Sequence, residues 1–105
     1  MRIKLVSAIL TLGLALASCS DRRTVIGVSQ CSDDTWRQKV NREIKIGQYQ
    51  YKDVDVRFCS ANNDAKRQVR QIDSLVASGV DLLIVAPSDA NTVTPAVERA
   101  YKKGI

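Results

Sequence analysis

The chain has 105 residues, with 16 Lys and Arg against 11 Asp and Glu, a formal net charge of +5 and no histidine. That length holds at most one small domain. The basic residues are interspersed with acidic ones, as in "REIK" and "DAKRQVRQID", with no basic cluster interleaved with aromatics; this is the pattern of solvated helix faces and argues against nucleic acid as a partner.

In chain order, Arg2 and Lys4 precede an uncharged, mostly apolar run from Leu5 to Ala17, followed by Leu16-Ala17-Ser18-Cys19. A positive start, a short apolar run and small residues before a cleavage point make residues 1–18 a secretory signal. The run is short for a bilayer span, which takes about 20 residues. Leu-Ala-Ser-Cys resembles the bacterial lipoprotein box, which implies lipidation of Cys19 and a membrane-anchored product; an uncleaved anchor or a generic signal peptide is the alternative. Residues 19–23 then form a linker, and residues 24–105 the domain.

Val25-Ile26-Gly27-Val28-Ser29 is a compact apolar run and predicts a strand buried on both faces. Asp33 or Asp34 can cap the helix that follows, Thr35 to Gly47, in which Trp36, Val40 and Ile44 form one inner stripe. The second strand, Val54 to Cys59, alternates apolar with charged residues and reads as an edge. Asn62-Asn63-Asp64 supplies caps for a second helix with Ala65, Val69, Ile72, Leu75 and Val76 on one side, stopped by Gly79 as a C′ glycine. Leu82 to Ala86 is continuously apolar and suits the centre of a parallel sheet. Ser88-Asp89 caps a third helix, whose inner stripe is Val93, Val97 and Tyr101 with Ala96 and Ala100 beside it, and Gly104 stops it. Strands alternating with amphipathic helices specify an α/β fold, a three-layer α-β-α parallel sheet with right-handed crossovers. Gly104-Ile105 reads as a helix stop and the start of a further strand, so the sequence is expected to be an N-terminal piece of a longer protein.

In such sheets, ligands bind beyond the carboxyl ends of the strands, which puts three loops at the site: Gln30 to Thr35, Ser60 to Asp64 and Pro87 to Asn91. The first is the richest. Asp34 can accept from two hydroxyls, Arg37 can donate in a fixed fork, and Gln30 can do either. Trp36 offers a flat apolar face to C–H groups. An aromatic platform with a few convergent polar side chains suits a small polyhydroxylated ligand, a sugar. The structural alternatives are that Trp36 packs the first helix on the sheet and that Arg37 is a surface residue. Cys31 and Cys59 each fall at the carboxyl end of a predicted strand, in an exported domain where disulfides form; they are either bonded or two free, partly buried thiols. With no histidine and no CxxC pair, no metal site is expected. Gly27-Val28-Ser29-Gln30-Cys31 lacks the final glycine of a nucleophile elbow, and P-loop and GxGxxG motifs are absent, so no cofactor and no enzyme activity are expected. An exported enzyme using Asp33 or Asp34 as acid-base is the remaining catalytic alternative.

"TVIGVSQCSDDTWRQKVNREI", with "SANNDAKRQVRQIDSLVASGVDLLIVAPSDANTVTPAVERAYKKGI", resembles the start of type I periplasmic binding proteins of the ribose-binding class. The resemblance covers Thr24 to Ile105. It implies two lobes that close on a sugar about a hinge, of which the first half of the first lobe is present, and carries sugar contacts onto Gln30, Asp34, Trp36 and Arg37. Many members have a second aromatic where Arg37 stands, so a sandwich of two rings is not implied. The opening "GVSQCSDDTWRQKVNREI" looks most like the periplasmic input domain of hybrid two-component sensors of Bacteroidetes, which implies a histidine kinase module as partner. A stand-alone lipid-anchored receptor feeding an ABC permease is the alternative, and the lipoprotein box favours it.

Overall fold

A computed structural model describes residues 22–105. The signal of residues 1–18, lipidation at Cys19 and the start of the linker lie outside the described residues. Six elements alternate: β1 (Thr24–Gln30), α1 (Thr35–Gln48), β2 (Val54–Ser60), α2 (Ala65–Ala77), β3 (Leu82–Val85) and α3 (Ala90–Lys102). The strands form one parallel sheet in the order β2-β1-β3. This is the α/β architecture that the alternation of strand and helix predicts.

Successive residues of β1 look to opposite faces. Gly27 and Ser29 face α2. A Cβ at Gly27 would stand 3.0 Å from Leu83 Cδ2 and 3.2 Å from Leu75 Cδ1, so glycine lets α2 close on the sheet. Gln30, out of phase with them, faces α1 and meets Asn41. The core lies on the α2/α3 side, where Ile72, Val93 and Ala96 pack together with Leu83 and Val85 of β3 against them. Gly79 and Gly104, at φ +83° and +88°, end α2 and α3 as C′ glycines.

Three expectations change. The centre of the sheet is β1, not β3: β1 pairs with both other strands. Leu82 and Ile84 of β3 are 48% and 44% exposed. They look to the face that α1 covers only over β1 and β2. The stripe on α3 is Val93, Ala96 and Ala100, all buried, while Val97 and Tyr101 are exposed. A spacing of four drifts about 40° around a helix at each step, whereas alternating three and four holds one line. On α1 the same drift leaves Val40 and Ile44 half-buried and carries Trp36, in the first turn, away from the sheet. No helix among the described residues is long and apolar enough to cross a membrane.

Candidate functional site

All three helices begin at the carboxyl ends of the strands, and each begins on an aspartate. Asp34 accepts from the Arg37 amide at 3.0 Å, Asp64 from the Arg67 amide at 2.9 Å and Asp89 from the Thr92 amide at 2.8 Å. Of the two candidate caps of α1, Asp34 takes the role and Asp33 stays exposed. The Ser32 hydroxyl donates to the other oxygen of Asp34. That hydroxyl, then the Arg37 amide, holds the Asp34 carboxyl below the usual carboxylate range. The Arg67 amide, reinforced by the charge of Arg70, does the same for Asp64, and the hydroxyl and amide of Thr92 for Asp89. Three carboxylates at three positive helix ends are electrostatically matched.

The loops are tied to one another. The Ala61 amide donates to the Gln30 carbonyl at 2.9 Å, and the Asn63 amide to the Cys31 carbonyl at 2.6 Å. Asn62 and Asn63 stand at φ 51° and 62°, the left-handed region that asparagine tolerates better than most side chains. This lets the second loop turn back over the end of β1.

Gln68 of α2 is the fastener of this face. It is fully buried. Its Nε2 donates to Ser29 Oγ and the Ala86 carbonyl, each at 3.0 Å, and its Oε1 accepts from the amide and hydroxyl of Ser88, each at 2.9 Å. One side chain thus joins α2 to β1, to the end of β3 and to the third loop. The sequence alone does not mark this glutamine as a site residue. The signal was its position: Ala65, Gln68, Ile72 and Leu75 form a line at spacings of three and four, so a polar residue falls in an apolar stripe.

The predicted site residues separate into layers. Gln30 is buried, its Nε2 donating to Asn41 Oδ1 at 2.9 Å and its Oε1 lying 3.5 Å from Arg37. It therefore supports Arg37 from below, with Asn41, which the sequence does not single out, fixing its orientation. Asp34 and Arg37 lie on the first turn above it. Trp36 is 65% exposed on the same turn, so its ring is presented to solvent and does not pack α1 on the sheet. Each Asp34 oxygen keeps a lone-pair direction beyond the bond it already accepts. Among the described residues there is no group of three His, Cys, Asp or Glu side chains that could hold a metal.

Cys31 and Cys59 are both free. Cys59 stands opposite Ser29 in the register and Ser60 opposite Gln30, which sets Cys31 two residues further along. That diagonal is about 8 Å for strands of ordinary spacing, beyond the reach of a disulfide. Burial also pushes the Cys59 thiol up from its usual pKa.

Residues 26–105 match the family described as a periplasmic binding protein domain. The chain is 33% identical to the xylitol-binding protein of Mycolicibacterium smegmatis, over 99% of this chain and 32% of that protein. It superposes with a TM-score of 0.77 on the fructose-binding periplasmic domain of the hybrid two-component system BT1754, at 44% identity over 79% of this chain and 28% of that one. A solute-binding protein of an ABC transporter from Bacillus halodurans, solved with bound myo-inositol, gives a TM-score of 0.75 at 27% identity, over 84% of this chain and 31% of that one. The chain spans about a third of the length of the curated relatives it matches.

Proposed function

This chain belongs to the periplasmic binding proteins, and we propose that it is the first-lobe portion of a carbohydrate-binding domain that serves as the sensory input of a hybrid two-component histidine kinase. The family is one of binding proteins rather than enzymes and works in the periplasm. The observation that carries the sensor reading is the 44% identity to the periplasmic domain of a hybrid two-component system, well above the 27% shared with the importer component.

The ligand is a small neutral polyhydroxylated molecule. Fructose, xylitol and myo-inositol, named with the relatives, are all of that class. On this lobe, Asp34 accepts from ligand hydroxyls, Arg37 donates to ligand oxygens, Trp36 stacks on a C–H face, and Gln30 holds Arg37 in place. A ligand that also engages a second lobe stabilises the closed form by its differential affinity, and closure is the signal passed to the kinase.

The second reading is a lipid-anchored receptor that hands sugar to an ABC permease. The Leu-Ala-Ser-Cys sequence favours it, as do the importer relatives. Anchoring at Cys19, the kinase and the permease all belong to these readings. The experiment takes the full-length protein in membranes with ATP and each of the three candidate ligands. Sugar-dependent autophosphorylation supports the sensor. Sugar binding without a kinase, together with loss of uptake in the deletion strain, replaces it with the receptor. Calorimetry on Asp34→Ser, which keeps a capping hydroxyl, and on Trp36→Ala tests the site. Unchanged affinity in both refutes the assignment.

A further inference from the structure

At the opposite end of the sheet lies a second feature that the sugar-binding face does not use. Arg23 precedes β1, and Tyr49 to Lys52 connect α1 to β2, so these residues sit at the amino ends of the strands. A strand such as β1, seven residues long, puts them about 23 Å from the loops above. From here a groove of about 480 Å³ runs along α1 and β2, lined by Arg23, Tyr49, Tyr51 and Lys52 at this end and by Lys45 and Phe58 further along. Tyr49 and Tyr51 are 88% and 60% exposed. Lys45 Nζ stands 5.2 Å over the Phe58 ring, and the Arg23 guanidinium donates to the Val54 carbonyl at 3.0 Å. Among the described residues no carboxylate lines the groove; Asp53 stands beside Lys52 in sequence, and Asp55 accepts from Gln48, a lining residue.

We propose that this groove is a docking surface for an anionic membrane. Three cations without a lining carboxylate complement anionic headgroups. Exposed tyrosines, apolar in the ring and polar at the tip, are the side chains that settle at a membrane–water interface. The location agrees: Arg23 follows Cys19 by four residues, a reach of at most about 14 Å, so an attachment at Cys19 would hold this end of the domain near the bilayer. The charge and the aromatic rings of the groove do not require that attachment. Seated this way, the carboxyl ends of the strands point away from the membrane, leaving the sugar-binding face open to solutes.

The test uses the complete periplasmic binding domain, the unit in which the fructose-binding relative was solved, produced from Ser20 onward so that no lipid is attached. It is sedimented with vesicles of phosphatidylcholine alone or with about a third phosphatidylglycerol, since attraction to basic residues depends on anionic lipid. Expected is binding to the anionic vesicles only, weakened by salt. Lys45→Gln with Lys52→Gln should lower the partition about 25-fold, about fivefold for each lysine, and Tyr49→Ala with Tyr51→Ala should lower it separately. Sugar affinity by calorimetry should be the same in all variants, which also shows that they are folded. Equal partition of wild type and the lysine variant overturns the proposal, as does binding that ignores lipid charge. Displacement from vesicles by soluble polyglutamate, with direct binding to it at similar strength, overturns it too and reassigns the groove to an acidic protein partner.

Discussion

Replacing Gln68 tests whether one buried amide holds the binding face together. Gln68→Met keeps the length and most of the volume but removes the four hydrogen bonds of 3.0 Å or shorter, two donated and two accepted. The Ser88 groups are only half-buried, so water can replace Gln68 there. The Ala86 carbonyl is half-buried in the same way, but Ser29 is fully buried, so its hydroxyl is left without that partner. At about 1–3 kcal/mol for a buried polar group so stranded, the substitution should cost about 1–3 kcal/mol. Gln68→Ala should cost more, because it adds a cavity at about 24 cal/mol per Å³ of void. Urea denaturation of the complete binding domain, followed by circular dichroism, reads both as shifts in midpoint at constant slope. The loop from Pro87 to Asn91 loses its tether to α2 in either variant, so sugar affinity should fall along with stability. A Gln68→Met protein within about 0.5 kcal/mol of wild type, the range of surface substitutions, would refute the reasoning.

Trp36→Ala should separate binding from folding: the ring is mostly exposed, so stability should stay within about 0.5 kcal/mol. Sugar affinity should fall up to about tenfold by calorimetry, since aromatic stacking contributes about 0.5–1.5 kcal/mol. Gly27→Ala should destabilise by about 1–3 kcal/mol in the same urea titration, because its methyl would press on Leu83, Leu75 and Val80. Acid should weaken the fold through the helix caps. The folded pKa values of Asp34, Asp64 and Asp89 are lowered, so as pH falls the unfolded chain takes up protons first, near its ordinary value of about 3.9. The cap contribution is therefore fully present above that value and is lost as pH falls through the folded values, and a variant with serine at all three positions should show a shallower acid decline in urea midpoint.

Much of the fold was legible because local signals agreed. Apolar runs, aspartate caps and C′ glycines at Gly79 and Gly104 mark the same boundaries that hydrogen bonding draws. Strand order was less legible: composition reports how apolar both faces of a strand are, not which neighbours it has. The apolar run of β3 is matched on its Leu83–Val85 side by α2 and α3, while Leu82 and Ile84 meet no comparable cover among the described residues. On α3 the buried line runs through Val93, Ala96 and Ala100, beside the predicted Val93–Val97–Tyr101 stripe, because a four-residue spacing drifts around the helix. In the site, residue types were readable on the first turn, but depth was not. Gln30 and Trp36 look equally available in the sequence, yet one is buried beneath Arg37 and the other projects into solvent. Depth depends on contacts between residues far apart in the chain, such as the pairing of Gln68 with Ser29 and Ser88.

The bonds that shape this face are internal to the protein, and this bears on how a ligand could signal through it. Asp34 is held by Ser32 and the Arg37 amide, Gln30 by Asn41, and the third loop by Gln68. A sugar arriving here has little to order, so binding to this lobe costs little conformational entropy. Contacts with a preformed surface are the same whether the protein is open or closed, and equal affinity for two states shifts neither. Under the proposed reading, the free energy that drives closure must come from contacts this lobe does not make. Trp36→Ala should then lower affinity for open and closed forms alike and move the sugar concentration for half-maximal kinase output without changing the maximal output. A fall in maximal output at saturating sugar would mean that the indole itself distinguishes the two states, and that this face takes part in closure.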